Sequence, residues 1–504
     1  FSFIGGPAFA YNTALILTFI LSGIGMYVWV RHLTGRYDAA IIAGTIFAFL
    51  PYRFAHFRIG HLNLSGMQWF PLFFMSLFEL LNLNQKIRSQ AGETENSVMH
   101  SQAGKSKRKF IILGGVSLGL IGLTSQYYLY MTLLVSAFLV IFYLVFMNRP
   151  LIKDFQFWKR LFGMGMVALP LILIAVAPYF TLLGQGGLPD RSVSIARLYS
   201  ASPTDFILPS TEHFLWGQWI GDNFNRDLWI EGTLYIGAVA GVLAILALMK
   251  RKEILHGRMI SLMFWTAGFA FILAMGIDFH WLGESVTFST PKFLADRIAR
   301  SELPIPLPGY LLFQYFPLYA KLRALMRFGV FVLIFTSASA GLGSAFILER
   351  VNQKWKLILT FLLLVLIFVD FYPGPYTEFA QVQTRPVDSW LAEQPGDDAM
   401  IQFPFIMGED QDQIYNTLIH EKPFVGGFFN AFPPPQYKRI TPIMENFPDQ
   451  ESVDLFSELG VKYVLVDEDE YADINKVRTS CEELGLQFVV QIEDQLVFEF
   501  DGEQ

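Results

Sequence analysis

A single cysteine, Cys481, stands among 504 residues, so the chain can form neither an internal disulfide nor a cysteine-rich metal site, and its cysteine content is silent on redox compartment. Charge is also scarce. Asp, Glu, Lys and Arg make up 16% of the residues, against about a quarter in a soluble globular protein. With 53% hydrophobic residues, 50 phenylalanines and a mean hydropathy of +0.40, that deficit excludes a soluble enzyme, a disordered chain and a nucleic-acid binder. No GxGxxG, Walker, GxSxG or HExxH sequence occurs, so no cofactor is expected. No spacing indicates a divalent metal either. The acidic run Asp467–Glu470 lacks the glycine and distal glutamate of an EF-hand loop and reads as a solvated turn.

The charge that is present divides the chain. Residues 1–372 hold 30 Lys and Arg against 18 Asp and Glu, whereas residues 373–504 hold 7 against 26. Two physically different domains are expected: a multispan membrane domain over 1–372 and an acidic, soluble α/β domain over 373–504.

Crossing about 30 Å of hydrocarbon takes roughly 20 mostly apolar residues in a helix. Such segments occur at Phe9–Val30, Ala39–Tyr52, Leu62–Leu81, twice within the 39 uncharged residues between Lys109 and Arg149, and at Leu161–Leu183, Ile230–Met249, Met259–Gly276, Phe328–Leu348 and Leu357–Phe371. These predict about ten transmembrane helices; Ala39–Tyr52 is short, and Leu303–Ala320 is a proline-containing further candidate. Alternate loops (31–37, 84–109, 148–160, 250–258, 348–356) contain 19 Lys and Arg in 64 residues, and the opposite loops (52–62, 184–229, 278–326) contain 10 in 106. By the positive-inside rule the first set is cytoplasmic, which places Phe1, the second set and the acidic domain outside the cytoplasm. The cluster Lys105–Lys109 reads as a topology signal beside an anionic leaflet.

In the acidic domain, Val387–Glu393, Asp412–His420, Ser452–Leu459 and Ile474–Leu484 read as helices and Ala399–Phe403 and Val461–Val466 as strands. Gln487–Ile492 and Gln495–Phe500 read as a hairpin around Glu493 and Asp494.

Residues able to carry chemistry collect in the extracytoplasmic loops. Arg53, His56, Arg58 and His61 fall within nine residues and can hydrogen-bond phosphate; at helical spacing they spread over more than one face. Arg323 and Arg327, four apart, share a helical face. Gln126 and Tyr127 sit at the turn between two spans. Asp190, Asp205, Glu212, Asp222, Asp227 and Glu231 each offer a carboxylate, and spacing selects none of them as a general base. Trp216, Trp219 and Trp229 read as interfacial belt residues.

The strings Ala10-Tyr-Asn12, Leu21-Ser-Gly-Ile-Gly25, Arg31-His-Leu-Thr-Gly35, Ala48-Phe-Leu-Pro-Tyr-Arg53-Phe-Ala-His56 with His61, and Gln68-Trp-Phe-Pro71 resemble bacterial polytopic membrane glycosyltransferases of the GT-C type. So do Ser202-Pro-Thr-Asp205, Leu234-Tyr-Ile-Gly237, Met326-Arg-Phe328, Val387–Glu393 and Leu459–Val466. The resemblance implies sugar transfer from a polyprenyl-phosphate donor to a saccharide or lipid acceptor, by a multi-pass protein of the bacterial inner membrane. It also implies a catalytic acid in the first extracytoplasmic loop, upstream of Phe1 in this numbering. A fragment beginning at Phe1 would then lack the acid and be inactive. In that chemistry Arg53, His56, Arg58, His61, Arg323 and Arg327 would stabilise the leaving phosphate, with Gln126 and Tyr127 lining the cavity. A lipid-linked saccharide flippase and a non-catalytic cell-envelope scaffold are the alternatives.

Overall fold

A computed structural model describes residues 2–81, 97–184, 188–224, 230–290, 301–375, 384–406, 411–428 and 433–502. Asp227, Trp229 and much of the basic 84–109 loop lie outside these residues. The chain divides into two compact units, Phe1–Phe180 with Pro189–Pro375, and Thr181–Leu188 with Tyr376–Gln504.

The first unit is a helical bundle. Six described helices are long and apolar enough to cross a membrane: Phe3–Thr34, Tyr37–Arg58, Gln126–Met147, Phe155–Gly184, Gly257–Ala274 and Leu325–Arg350. Ten were expected, and the four that fall short do so for local reasons; in Ser97–Thr124 the uncharged stretch begins only after Lys109 and is fifteen residues long. Leu62–Leu81 breaks into a single turn, Leu62–Ser65, and an eleven-residue helix, Phe70–Leu80, with Pro71 in its first turn. The apolar run from Ile230 becomes helical only at Ala238 and ends at Met249. Gln353–Phe371 is helical but carries Lys354, Lys356 and Asp370. The segment from Leu303 holds a short strand, Glu302–Pro304, and an eight-residue helix, Pro308–Tyr315, and is no span.

Two features mark this unit as a membrane protein. Phe162, Ile174 and Phe180 of the Phe155–Gly184 helix are 70%, 64% and 64% exposed, a surface that needs lipid rather than water. Several hydroxyls within the apolar helices are satisfied by the helix's own backbone, as lipid favours: Thr132 donates to the Tyr128 carbonyl, Thr266 to that of Leu262 and Ser337 to that of Leu333, each within 2.8 Å.

The Gly329–Arg350 helix is the axis of the bundle, and most of its length is buried. Its aromatic face packs Phe331 against Phe70 and Phe335 against Phe74, with ring centroids 5.6 and 4.9 Å apart. Its small-residue face admits neighbouring backbones. Gly341 meets Ala43 and Val30, and Gly343 lies against the Leu243 carbonyl with no room for a Cβ.

Phe155–Gly184, the short Ala238–Met249 helix and Gly257–Ala274 alternate in direction between two polar ends of the bundle. One end joins His32 to Glu79 (2.8 Å), Arg350 to Glu253 (3.2 Å), and the Arg258 guanidinium to the Met147 carbonyl. The opposite end carries the 51–69 segment, the turn at Ser125 and the segments 189–224, 230–236, 276–290 and 301–328. Arg197 pairs with Asp278 there, Lys321 with Asp190 (3.0 Å), and Tyr130 donates to the Pro317 carbonyl (2.8 Å). Asp370 ties the Gln353–Phe371 helix to the same end, accepting from the Tyr235 hydroxyl (2.7 Å) and from the Val239 amide (3.1 Å) at the start of the Ala238–Met249 helix.

The second unit carries a four-stranded sheet in the order 399–403, 461–467, 495–499, 487–492, with the first pair parallel and the others antiparallel. Its helices are Pro386–Glu393, Gln411–His420, Pro435–Met444, Gln450–Leu459 and Ile474–Glu483. Pro435–Met444 is absent from the sequence reading because Pro442 within it and the prolines before it disguise its period. The Asp467–Glu470 run is a capped turn, with the Asp467 carboxylate accepting from the Asp469 amide at 3.3 Å.

Cysteines introduced by Ser194→Cys and Lys252→Cys, both at exposed positions, are expected to react with a membrane-impermeant maleimide from opposite sides of the membrane; labelling from one side contradicts the alternation. Gly343→Ala should lower thermal stability by about 1–3 kcal/mol, by overpacking the helix axis.

Candidate functional site

The polar cluster at the second end is built around one short helix and its cap. Pro51–Arg58 begins with Pro51, whose ring is tolerated where no intrahelical donor is needed. Gly60 ends it in the left-handed region (φ +69°). The Gly60 amide donates to the Phe57 carbonyl (3.0 Å) and the His61 amide to the His56 carbonyl (2.9 Å). This is the paired bonding of a Schellman cap. It folds the chain back so that His61 returns to the helix it has just left, and the His56 and His61 Nδ1 atoms come 3.0 Å apart. The expectation that the two would occupy different faces assumed a helix running through both; the glycine removes it.

Behind His56 lies an ion pair between distant parts of the chain. Arg327, at the entry of the central helix, donates from Nε to Glu231 at 3.0 Å and from its terminal nitrogen to the other carboxylate oxygen, a two-bond fork. Arg327 and Glu231 are 7% and 8% exposed, so neither charge could remain there without the other. Glu231 Oε2 also faces His56 Nε2 at 3.9 Å. Burial would raise the Glu231 pKa, but the charge and hydrogen bonds of Arg327 outweigh it and hold it at about 2. Burial pushes the pKa of His61 below its usual value, which keeps the ring neutral at pH 7. Aromatic groups close the cluster: Tyr127 lies 5.5 Å from the Arg327 guanidinium, the Tyr52 ring 4.3 Å from His56, and the Tyr52 hydroxyl 3.1 Å from that of Tyr128.

Arg323 stands at the rim, exposed. It donates to the Tyr199 hydroxyl at 2.6 Å, lies 4.9 Å from that ring, and is within electrostatic reach of His61. It makes no ion pair with any described residue.

The structure therefore brings His56, His61, Tyr127, Arg323 and Arg327 together and leaves three nominated residues apart. Arg53 is fully buried and turned inward, bonded to Ser22 and to Thr18 (3.0 Å) and stacked 4.4 Å from the Phe19 ring. Arg58 is exposed and paired with Glu212. Gln126 staples two helices, donating to the Ala175 carbonyl (3.0 Å) and accepting from Tyr179 (3.2 Å). Among the carboxylates, Asp205 caps its own turn at Ser202 (2.9 Å), Asp190 pairs with Lys321, and Asp222 is exposed. Trp216 and Trp219 are exposed near the same end. Glu231 is the acid that geometry selects. No spacing could have selected it, because its partner lies 96 positions away. No group of three or more His, Cys, Asp or Glu among the described residues could hold a metal ion.

No protein-family model matches the chain, and no curated protein matches it. Among solved structures it is similar to the apo crystal structure of the Archaeoglobus fulgidus oligosaccharyltransferase, at 13% identity and a TM-score of 0.35. That likeness covers 90% of this chain, which spans 58% of the archaeal enzyme's length.

Removing one member of a buried pair strands the other charge, so Glu231→Ala should cost about 3–5 kcal/mol, read as a lowered thermal midpoint; a loss below about 1 kcal/mol contradicts the buried fork. The depressed Glu231 pKa stabilises the fold fully above the unfolded carboxylate range, and that contribution should disappear as pH falls toward 2. The lowered His61 pKa has the same sign, since acid must charge a ring that folding keeps neutral. A midpoint that rose on acidification below pH 5 would contradict both.

Proposed function

We propose that the chain is a membrane glycosyltransferase-like protein of the GT-C type, transferring a sugar from a polyprenyl-phosphate donor to a saccharide or lipid acceptor outside the cytoplasm. The observation that carries this reading is the exposed Arg323 guanidinium, held on Tyr199 beside the His61–His56–Glu231–Arg327 cluster and without an ion pair among the described residues. An anionic group arriving at the rim from the apolar flank of the bundle would meet a preoriented cation. A phosphate is the anion best matched to a guanidinium held by an aromatic ring, because the planar fork can bond two of its oxygens. Arg327 stands behind it with its charge already balanced by Glu231, so its part is to hold the carboxylate and shape the field rather than to bind a second anion. Arg53 and His56 are buried, and Arg58 is engaged by Glu212, so none of these three is assigned to phosphate.

This arrangement suits a reaction in which negative charge grows on a leaving phosphate, since a donor fixed before the reaction needs no reorganisation during it. The apolar helices supply the surface along which a polyprenyl tail would lie. The threading deduced from loop charge puts the cluster on the side opposite the basic loops, where an acceptor of the cell envelope would be met.

Undecaprenyl phosphate titrated against the purified chain, read by native mass spectrometry, is the direct test. One charge-assisted hydrogen bond contributes about 1.5–3 kcal/mol, so Arg323→Ala should weaken binding roughly 10- to 100-fold, and Arg323→Lys should recover part of it. Undecaprenol, without the phosphate, should bind both forms alike. Equal binding of the phosphate by wild type and Arg323→Ala overturns the assignment.

A further inference from the structure

Resting on the transferase reading above, we infer that His61 is the base that takes the proton from the acceptor hydroxyl, with His56 and Glu231 fixing its tautomer. The bond between the two Nδ1 atoms is an edge-to-edge contact, with ring centroids 5.3 Å apart and planes 25° apart. One of these nitrogens donates and the other accepts, and the choice is made on the far side of His56. There Nε2 is buried without a hydrogen-bond partner among the described residues and faces the Glu231 carboxylate. A carboxylate only accepts, and the Arg327 fork keeps Glu231 ionised, so His56 carries its proton on Nε2. Its Nδ1 is then a lone pair, and the proton in the shared bond belongs to His61 Nδ1. His61 Nε2 is left as an unprotonated, basic nitrogen. It makes no hydrogen bond to a described residue, and its ring is half-buried rather than sealed, unlike that of His56.

The charged and titratable groups facing His61 are consistent with this role. Glu231, Arg327 and Arg323 lie on other segments, and His56 lies on its own. The cluster carries balanced charge at Glu231 and Arg327, with Arg323 as the added cation, so a neutral imidazole is favoured while the site waits. Tyr11 approaches the same turn, its hydroxyl lying 3.1 Å from where a Cβ on Gly60 would be.

In the transfer step the acceptor oxygen forms a bond to the anomeric carbon of the sugar. The bond between that carbon and the phosphate oxygen breaks, and its electron pair leaves with the polyprenyl phosphate. The acceptor proton goes to His61 Nε2, and the His61 Nδ1 proton passes to His56 Nδ1. The resulting positive charge therefore rests on His56, opposite the Glu231 carboxylate. The phosphate leaves with one more negative charge than the donor carried, facing Arg323, and the proton gained by the histidines balances it. His61 is the catalytic residue, whereas His56 and Glu231 are positioning residues.

The test uses the whole chain in lipid nanodiscs, with ¹⁵N-labelled histidine observed by NMR at pH 7 and His61 assigned by its loss in His61→Gln. The expected result is His61 protonated on Nδ1, with the strongly downfield resonance of an unprotonated Nε2, and His56 protonated on Nε2. In parallel, diethyl pyrocarbonate should modify His61 at least about tenfold faster than His56, and undecaprenyl phosphate should slow that modification. A His61 protonated on Nε2, or a His61 no more reactive than His56, overturns the base assignment. Undecaprenyl phosphate separates the two levels: if it binds while the tautomers are inverted, the base fails and the transferase reading stands. If the tautomers are as expected but the lipid phosphate neither binds nor protects, the transferase reading fails and takes the base role with it.

Discussion

The buried fork between Arg327 and Glu231 is the interaction on which this end of the bundle depends. Arg327 enters the central helix, and Glu231 precedes the Ala238–Met249 helix. His56, facing the same carboxylate, belongs to the Pro51–Arg58 helix. Three segments far apart in sequence are thus registered by one carboxylate. Apolar packing in lipid sets how closely helices approach but does little to fix their registry along the membrane normal, since lipid tails resemble the side chains they contact. A two-bond ion pair in a site with almost no water access does fix it, because each misplacement leaves a charge uncompensated. The small-residue face of the Gly329–Arg350 helix provides the close approach, and the fork provides the alignment.

The same pair determines the chemistry available nearby. With Arg327 committed to Glu231, the cluster does not present a block of positive charge. It presents a neutral imidazole pair backed by an ionised carboxylate, with a separate guanidinium at the rim. The proposed basicity and anion recognition would thereby fall to different side chains, as the proposed transfer with a departing phosphate requires. A cluster in which all six nominated cationic groups pointed at one ligand would bind anions without offering a site for the acceptor's proton.

Much of this architecture was legible in the sequence, and the failures have physical causes. The long apolar runs, the charge bias of alternate loops and the boundary of the acidic region are additive properties, readable from composition over a window. The strands and most helices of the second unit carry ordinary periodicity. What window statistics overcount is spans: Gly66 and Pro71 break one apolar stretch, and the run from Ile230 becomes helical only at Ala238. The site was half legible. The histidine–arginine segment and the Arg323–Arg327 pair stand out in the sequence, but their grouping does not. Arg53 and His56 lie three residues apart on one helix, yet Arg53 turns to Ser22 and Thr18 while His56 turns to Glu231. Only Gly60 hinted at the return of His61, since a glycine two residues beyond the last helical position suits a left-handed cap. Glu231 carried no local signal, because its meaning is supplied entirely by a partner in a distant segment.

A double-mutant cycle on Glu231 and Arg327, with both replaced singly and together by uncharged residues of similar size and stability read in the membrane, tests the central claim most directly. The account predicts strong coupling, with the double variant losing less than either single variant that leaves a charge stranded. Additive losses would show that the two charges do not depend on one another, and the registry argument would fall.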